Sequence, residues 1–201
     1  MIITKTRTEY LNAVRGLLSS KNPTCIEIGV ENGNFSRQIL DSLTPERLYL
    51  LDPWQKGYDK NSKTKTYTGE LGGMPTAYSN EDQKNIIEKN LKEKIKANQI
   101  ILNQGYSYDF VDSYKDNYFD FIYIDACHIY ESVKADLEMF LPKLKDEGLM
   151  CGHDYFNFSN FGVIKAVDEF CENFNFEMVI FNDQSSFGGF DWALKQKQPQ
   201  K

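Results

Sequence analysis

The sequence has no long hydrophobic run, no excess of positive charge and no closely spaced pair of cysteines. None of its apolar stretches approaches the length that a helix needs to cross a bilayer. The charged start of the chain is not followed by an apolar run of signal-peptide length. We therefore expect no membrane association and a cytoplasmic location.

The charge balance is acidic and the cysteines are scattered. With 23 basic and 29 acidic residues the formal net charge is −6, and no basic stripe is present. Such a chain is poorly suited to hold a phosphate backbone, so we expect no nucleic-acid partner. The four cysteines form no Cys-x-x-Cys pair, and two lie in apolar, strand-like runs. They are predicted to be reduced, which agrees with a reducing cytoplasm.

Short apolar runs alternate with segments of helical periodicity along the chain. Strands are predicted at 24–28, 48–51, 100–102, 119–125, 149–151, 176–181 and 187–194. Helices are predicted at 9–20, after residue 33, and at 79–97, 130–145 and 161–173. This alternation predicts βαβ crossovers, hence an α/β domain with a mostly parallel sheet over residues 1–201 and an antiparallel pair at its end.

Residues 53–78 interrupt the alternation. They are rich in Lys, Thr, Tyr and Gly and show little apolar periodicity. Long stretches of this kind inside a compact domain are usually functional lids or disordered segments. We favour a mobile lid over a passive insertion.

Ligands of open α/β sheets bind outside the carboxyl ends of the strands, and a glycine-bearing turn follows the strand at 24–28. The turn has the spacing Gly-x-x-x-Gly, from Gly29 to Gly33, whereas a dinucleotide site needs Gly-x-Gly-x-x-Gly. Glu27 and Glu31 flank it; carboxylates there would repel a pyrophosphate but suit an ammonium or sulfonium ligand. The alternative is a tight turn whose glutamates merely face solvent.

The next predicted strand ends at Asp52. A carboxylate at the end of the second strand can accept both hydroxyl groups of a ribose. Asp52 is therefore a candidate for binding a nucleoside.

The two histidines of the chain each stand near an aspartate where an apolar run ends. Asp125 and Asp154 could converge on one hard cation, or they could serve a cofactor instead. His128 could act as a base, since an unperturbed imidazole titrates near pH ~6.5. The structural alternative is that Asp125 caps a helix and that His153 caps a strand or fills a satisfied polar pocket.

These motifs resemble a class I S-adenosylmethionine (SAM)-dependent methyltransferase. The resemblance is carried by Glu27-Ile28-Gly29-x-x-x-Gly33, by Asp52 after a hydrophobic strand and by the block 123–137, which contains Asp125-Ala126-Cys127-His128. Together with Gly152-His153-Asp154-Tyr155, they are similar to the branch of macrocin-type sugar O-methyltransferases and cephalosporin hydroxylase-like proteins. The resemblance extends over roughly residues 22–195.

The resemblance implies a Rossmann-like three-layer sandwich with a seven-stranded sheet whose last strand is antiparallel. It also implies where SAM binds. Glu27, Gly29 and Gly33 would surround its methionine part and Asp52 its ribose. The segment Gln104-Gly105-Tyr106-Ser107 would border the adenine.

In metal-using relatives the positions matched by Asp125 and by the pair His153-Asp154 hold Mg²⁺, and the one matched by His128 is the base. Here His153 replaces a glutamate, and an imidazole is a less natural ligand for magnesium. The predicted function is O-methylation of a hydroxyl on a sugar or small metabolite, with or without a metal. Alternatives are a hydroxylase-like metal enzyme of the same branch, a nicotinamide oxidoreductase, which the glycine spacing disfavours, and a non-catalytic nucleotide-binding protein. Homo-oligomerisation is left open.

Overall fold

A computed structural model of the chain describes residues 1–54, 80–157, 161–184 and 189–197. In these residues one eight-stranded sheet has the order β1-β7-β8-β6-β5-β2-β3-β4. The strands are β1 (Ile2–Thr4), β2 (Thr24–Ile28), β3 (Arg47–Asp52), β4 (Ile100–Gln104), β5 (Phe119–Ile124), β6 (Leu144–Gly152), β7 (Phe176–Gln184) and β8 (Gly189–Gln196). All neighbours are parallel except β8, which runs antiparallel to both β6 and β7.

Helices cover both faces of the sheet. They are α1 (Arg7–Leu17), α2 (Asn34–Leu43), α3 (Asn80–Asn90), α4 (Lys92–Lys96), α5 (Ser107–Phe110), α6 (Tyr130–Phe140) and α7 (Val163–Phe174), with 3₁₀ turns at Val111–Ser113 and Leu141–Lys143. One buried apolar cluster joins the sheet to α1, α2 and α3, and a second joins it to α6 and α7. These are the three layers that the family resemblance implies.

Local sequence explains the central elements. Every residue of β5 is buried, as expected for a parallel strand covered by helices on both faces. In α2, Phe35, Ile39 and Leu43 recur at helical spacing and are buried on one side. The helix begins after Gly33 and ends at Thr44, which has left-handed backbone angles.

The predicted fold class is confirmed, with one strand more than predicted. Ile2–Thr4 pairs in parallel with β7 at the edge of the sheet. This strand has three residues, of which Ile2 and Ile3 are exposed, so it carries too little periodicity to be predicted from sequence.

Several element boundaries differ from the prediction. The helix predicted at 130–145 ends at Phe140, because a 3₁₀ turn containing Pro142 leads directly into β6, which begins at Leu144. The helix predicted at 79–97 is divided into α3 and α4 at Leu91. Most of the predicted lid, residues 55–78, lies outside the described residues.

Two further expectations can be compared with the structure. All four cysteines are unpaired, and Cys25 and Cys151 are buried. Within the described part of the chain, no helix combines the length and apolar character needed to cross a membrane.

Candidate functional site

The carboxyl ends of the parallel strands meet along one edge of the sheet. The backbone hydrogen bonds of the sheet continue past the strand ends, since Gly29 N–H donates to Leu51 O at 2.9 Å and Asp125 N–H to Ile28 O at 2.8 Å. Gly105 N–H donates to Asp52 O at 3.1 Å in the same way. The glycine turn, Asp52, Gln104–Ser107, Asp125 and His153 are therefore neighbours along this edge, as the sequence predicts.

The turn after β2 requires glycine at its first position. Gly29 has φ +87°, and a Cβ placed there would lie 2.1 Å from the carbonyl oxygen of Asp125. The backbones of the β2 and β5 ends thus touch directly at this point. Gly33 also has a positive φ, and a Cβ there would approach the Ile87 side chain of α3 to 2.9 Å. Gly29 therefore allows a close approach of backbone that any side chain would prevent, whereas Gly33 supplies a left-handed conformation and lies against the side chain of Ile87.

Asp52 holds the glycine turn in place. Its Oδ2 accepts hydrogen bonds from Val30 N–H at 2.8 Å and Glu31 N–H at 3.0 Å, and its Oδ1 accepts one from Trp54 N–H at 2.7 Å. Burial raises the pKa of Asp52, while these three bonds act in the opposite direction. Because a carboxylate has about four acceptor positions, Oδ1 can accept one further hydrogen bond. In this arrangement one acceptor position of Asp52 is left for a ribose hydroxyl, and the binding of both hydroxyls by Asp52 stays a prediction.

Glu27 lies beneath the turn and is 2% exposed. Its Oε2 accepts a hydrogen bond from the hydroxyl group of Ser36, in the first turn of α2. Burial raises the pKa of Glu27 to about 8. Glu31 reaches the surface, and burial together with the charges of Asp125 and Asp52 raises its pKa as well. This concentration of carboxyl groups favours a positively charged ligand.

The segment Gln104-Gly105-Tyr106-Ser107 follows β4 at the same edge. Gln104 Oε1 accepts a hydrogen bond from Lys84 Nζ at 2.9 Å, and Tyr106 N–H donates to Asp109 Oδ2 at 2.9 Å. The ring of Tyr106 stacks on that of Tyr108, with centroids 5.4 Å apart. Ser107 hydrogen-bonds the buried Asp136 of α6, and burial raises the pKa of that carboxyl to about 6. The segment is thereby tied to both α3 and α6.

Both histidines lie with Asp125 and Asp154 beyond the ends of β5 and β6. His128 Nε2 is 2.8 Å from Asp154 Oδ2 and 3.5 Å from Asp125 Oδ1, and His153 Nδ1 is 3.3 Å from Asp154 Oδ1. Burial alone would lower the pKa of His128, but its hydrogen bonds to the two aspartates raise it to about 10. The same pairing holds the pKa of Asp154 well below its usual range. His128 Nδ1 is buried and has no hydrogen-bond partner among the described residues.

This cluster is the candidate metal site. Its ligand atoms can be compared with those that magnesium prefers. Within the described residues, Asp125, His128 and Asp154 can each bring one ligand atom within 4.8 Å of the others, so His128 takes the place predicted for His153. Magnesium prefers octahedral oxygen ligands, whereas this group contributes an imidazole, and both histidines already pair with Asp154. The donor set does not fit Mg²⁺.

Three residues near the glycine turn escaped the sequence analysis. Trp54 Nε1–H donates to the carbonyl oxygen of Glu31 at 2.9 Å, and Gln83 lies with its amide nitrogen 3.5 Å from Glu31 Oε1. Lys84 binds Gln104, as described above. Gln83 and Lys84 belong to a helix whose lysine-rich sequence is typical of a surface helix. Nothing in that sequence predicts that the two residues lie at the site.

The strand order and the glycine-bearing turn at the carboxyl edge of the sheet define a Rossmann-like α/β domain. The family model described as a methyltransferase domain matches residues 26–155, well over half of the chain, and the chain belongs to this family. The enzyme class predicted from the sequence, a SAM-dependent methyltransferase, is confirmed. No curated protein matches the chain.

Solved structures share the fold at low sequence identity. An O-methyltransferase from Bacillus cereus in complex with S-adenosylhomocysteine (SAH) is 18% identical, with a TM-score of 0.59 over 94% of this chain and 80% of that chain. A ribosomal protein L11 methylase from Lactobacillus delbrueckii subsp. bulgaricus is 13% identical, with a TM-score of 0.60 over 96% and 79% of the two chains. An rRNA methylase from Streptococcus thermophilus is 12% identical, with a TM-score of 0.59 over 96% and 95%. The narrower macrocin-type branch stays a prediction.

Proposed function

We propose that this enzyme transfers the methyl group of SAM to a hydroxyl group of a small acceptor, such as a sugar or another hydroxylated metabolite. The observation that carries the proposal is the pairing of His128 with Asp154, 2.8 Å apart, on the edge that holds the glycine turn and Glu27. This edge combines a region suited to a cationic cofactor with groups able to move a proton. A sulfonium donor and a hydroxyl acceptor need both.

The residues of the turn fit the parts of SAM. When bound, SAM supplies an activated methyl group on a positively charged sulfur. Glu31 favours that positive charge, as does Glu27 once it releases its proton, while Gly29 and Gly33 let the ligand approach the backbone. Asp52 Oδ1 accepts one ribose hydroxyl, and the neighbouring carboxylate of Glu31 is available for the other.

The cluster beyond β5 and β6 orients the acceptor and takes up its proton. Methyl transfer would break the bond between the sulfonium sulfur and its methyl carbon, form the ether bond and leave SAH. The proton of the hydroxyl group would go to neutral His128 at Nδ1, the ring nitrogen that has no hydrogen-bond partner in the described residues. Asp154 holds the imidazole in place and stabilises its charged form. Since the donor is already activated, positioning of the two reactants contributes much of the rate. No step of this scheme requires a metal ion.

Binding of the cofactor is the first test. Calorimetric or thermal-shift titration with SAM and SAH, each with Mg²⁺ or with EDTA, should show saturable binding that is the same in both conditions. Failure of the protein to bind either compound would contradict the proposal. A higher affinity in the presence of Mg²⁺ would instead support the predicted magnesium site.

Asp52→Ala should weaken cofactor binding before it affects chemistry. The substitution removes the acceptor for a ribose hydroxyl, and a hydrogen bond to a charged group contributes ~1.5–3 kcal/mol, or roughly 10- to 100-fold in affinity. It also leaves the N–H groups of Val30, Glu31 and Trp54 without their acceptor, so the melting temperature should fall. Asp41→Ala, at an exposed position of α2, is the matched control and should change neither quantity. Unchanged SAH affinity in Asp52→Ala would disprove the assignment.

His128→Ala should abolish turnover and leave the affinity for SAH nearly unchanged. General-base catalysis typically contributes ~10²–10⁴-fold, and turnover is measured as acceptor-dependent release of SAH with a panel of hydroxylated compounds. Because the pKa of His128 is about 10 and only its neutral form accepts a proton, wild-type turnover should increase as the pH is raised from 6 to 9. A collapse of SAH affinity would instead identify His128 as a cofactor contact.

A further inference from the structure

Arg7, in the first turn of α1, carries a positive charge to the acidic edge of the sheet. Its guanidinium carbon lies 4.6 Å from the centroid of the Phe35 ring, and Phe35 comes two residues after Gly33. Its Nε lies 3.5 Å from Asp191 Oδ1 on β8. These two contacts fix the guanidinium group next to the start of α2, beside the glycine turn.

The Arg7 side chain is only partly satisfied by the protein. It is 24% exposed, whereas the side chain of Asp191 is fully buried. Beyond the Asp191 pair and the ring of Phe35, the structure gives its guanidinium no ion pair or hydrogen bond in the described residues. Burial acts to lower the pKa of Arg7, but the surrounding acidic groups, among them Asp125 and Glu27, raise it above its usual value. The charge is therefore retained at every accessible pH.

The charge balance of the edge leaves one part of the cofactor without a partner. The acidic groups of the turn favour the sulfonium and ammonium charges of SAM, but they would repel its carboxylate. His128 and His153 are both paired with Asp154, and Lys84 binds Gln104. Arg37, also near the start of α2, is exposed and pairs with Asn34. The contacts of Arg7 with described residues use its Nε and the face of its guanidinium group, which leaves its Nη groups for a ligand. A guanidinium fork matches the geometry of a carboxylate.

We propose that Arg7 binds the carboxylate of the methionine part of SAM and thereby selects the intact cofactor over its decarboxylated form. The inference rests on the proposed function, because it assigns a residue to the same cofactor site. In this role Arg7 is a specificity-determining contact, held in place by Asp191 and by the ring of Phe35.

The test compares SAM with decarboxylated SAM, which keeps the adenosine, the sulfonium and the amine but lacks the carboxylate. Calorimetry should show that wild-type protein binds SAM more tightly. In Arg7→Gln the affinity for SAM should fall ~10- to 100-fold, the range for a charged hydrogen bond, while that for decarboxylated SAM stays within about twofold. Arg7→Lys should keep part of the preference, because a point charge replaces the planar fork.

A purely structural role of Arg7 would give a different result. Arg7→Gln removes a positive charge from beside the buried Asp191, so the double variant Arg7→Gln/Asp191→Asn removes the negative charge of Asp191 as well. The preference for SAM should still be lost in the double variant. An equal loss of affinity for both compounds, or no loss for either, would overturn the inference while leaving the proposed function intact. If the wild-type protein binds neither compound, the proposed function itself fails.

Discussion

Gly29→Ala is expected to destabilise the protein more than any other single methyl addition in the site. The new Cβ would lie 2.1 Å from the carbonyl oxygen and 2.5 Å from the carbonyl carbon of Asp125, and the backbone there has φ +87°. Both obstacles are backbone atoms, so relief requires the ends of β2 and β5 to separate. Overpacking costs about 1–3 kcal/mol, and a residue other than glycine at this φ adds about 1–3 kcal/mol. A combined loss of about 4 kcal/mol corresponds to roughly 10 °C in melting temperature for a chain of this size.

Gly16→Ala is the matched control for this experiment. Gly16 lies in α1, and a Cβ there meets nothing within 4 Å. Alanine is favoured over glycine in a helix by ~1 kcal/mol, so this variant should melt slightly higher than the wild type. Thermal unfolding of both variants measures the contrast. A Gly29→Ala protein that melts like the wild type and binds SAH normally would show that the close approach to Asp125 is wrong.

Glu27→Gln is expected to remove a large pH dependence of both stability and cofactor binding. Burial raises the pKa of Glu27 from its usual 4.5 to about 8, so between these values the folded protein binds a proton that the unfolded chain has released. The free energy of unfolding therefore falls as the pH rises from about 4.5 to about 8, by a few kcal/mol for this group. The contribution is fully present below pH 4.5 and is lost above pH 8.

Binding of SAM should depend on Glu27 in the opposite direction. A sulfonium and an ammonium group nearby favour the ionised carboxylate, so SAM affinity in the wild type should increase as the pH rises from 6 to 9, with release of a proton on binding. In Glu27→Gln this increase should be absent. Denaturant unfolding and calorimetry across the pH range measure the two effects, with the exposed Glu46→Gln as control. Identical pH profiles for wild type and Glu27→Gln would contradict the assigned protonation state.

Much of the fold follows from local sequence. The strand and helix periods of Thr24–Ile28, Asn34–Leu43 and Phe119–Ile124 agree with their final structure, because each buries its apolar side against the sheet or the helices. Ile2–Thr4 was missed because its strand is defined by pairing with β7 rather than by its own pattern. Pairing with a strand far away in the sequence cannot be predicted from the pattern of three residues.

The candidate site could likewise be predicted from the sequence only in part. A glycine spacing and polar residues at strand ends predicted which residues would share one edge, because parallel strands end together. Whether those residues are free to bind could not be predicted. The backbone of the turn itself occupies three of the acceptor positions of Asp52, and His128 pairs with Asp154 across two loops.

The sequence by itself therefore determined the class of fold, the edge on which the site lies and the residue types gathered there. Those features depend on short-range periodicity and on the order of strands and helices. Only the tertiary structure decided the state of each group: the buried, protonated Glu27, the paired histidines, and Arg7 brought from the start of the chain to the glycine turn. Such properties depend on burial and on contacts between residues far apart in the chain, which no local pattern records.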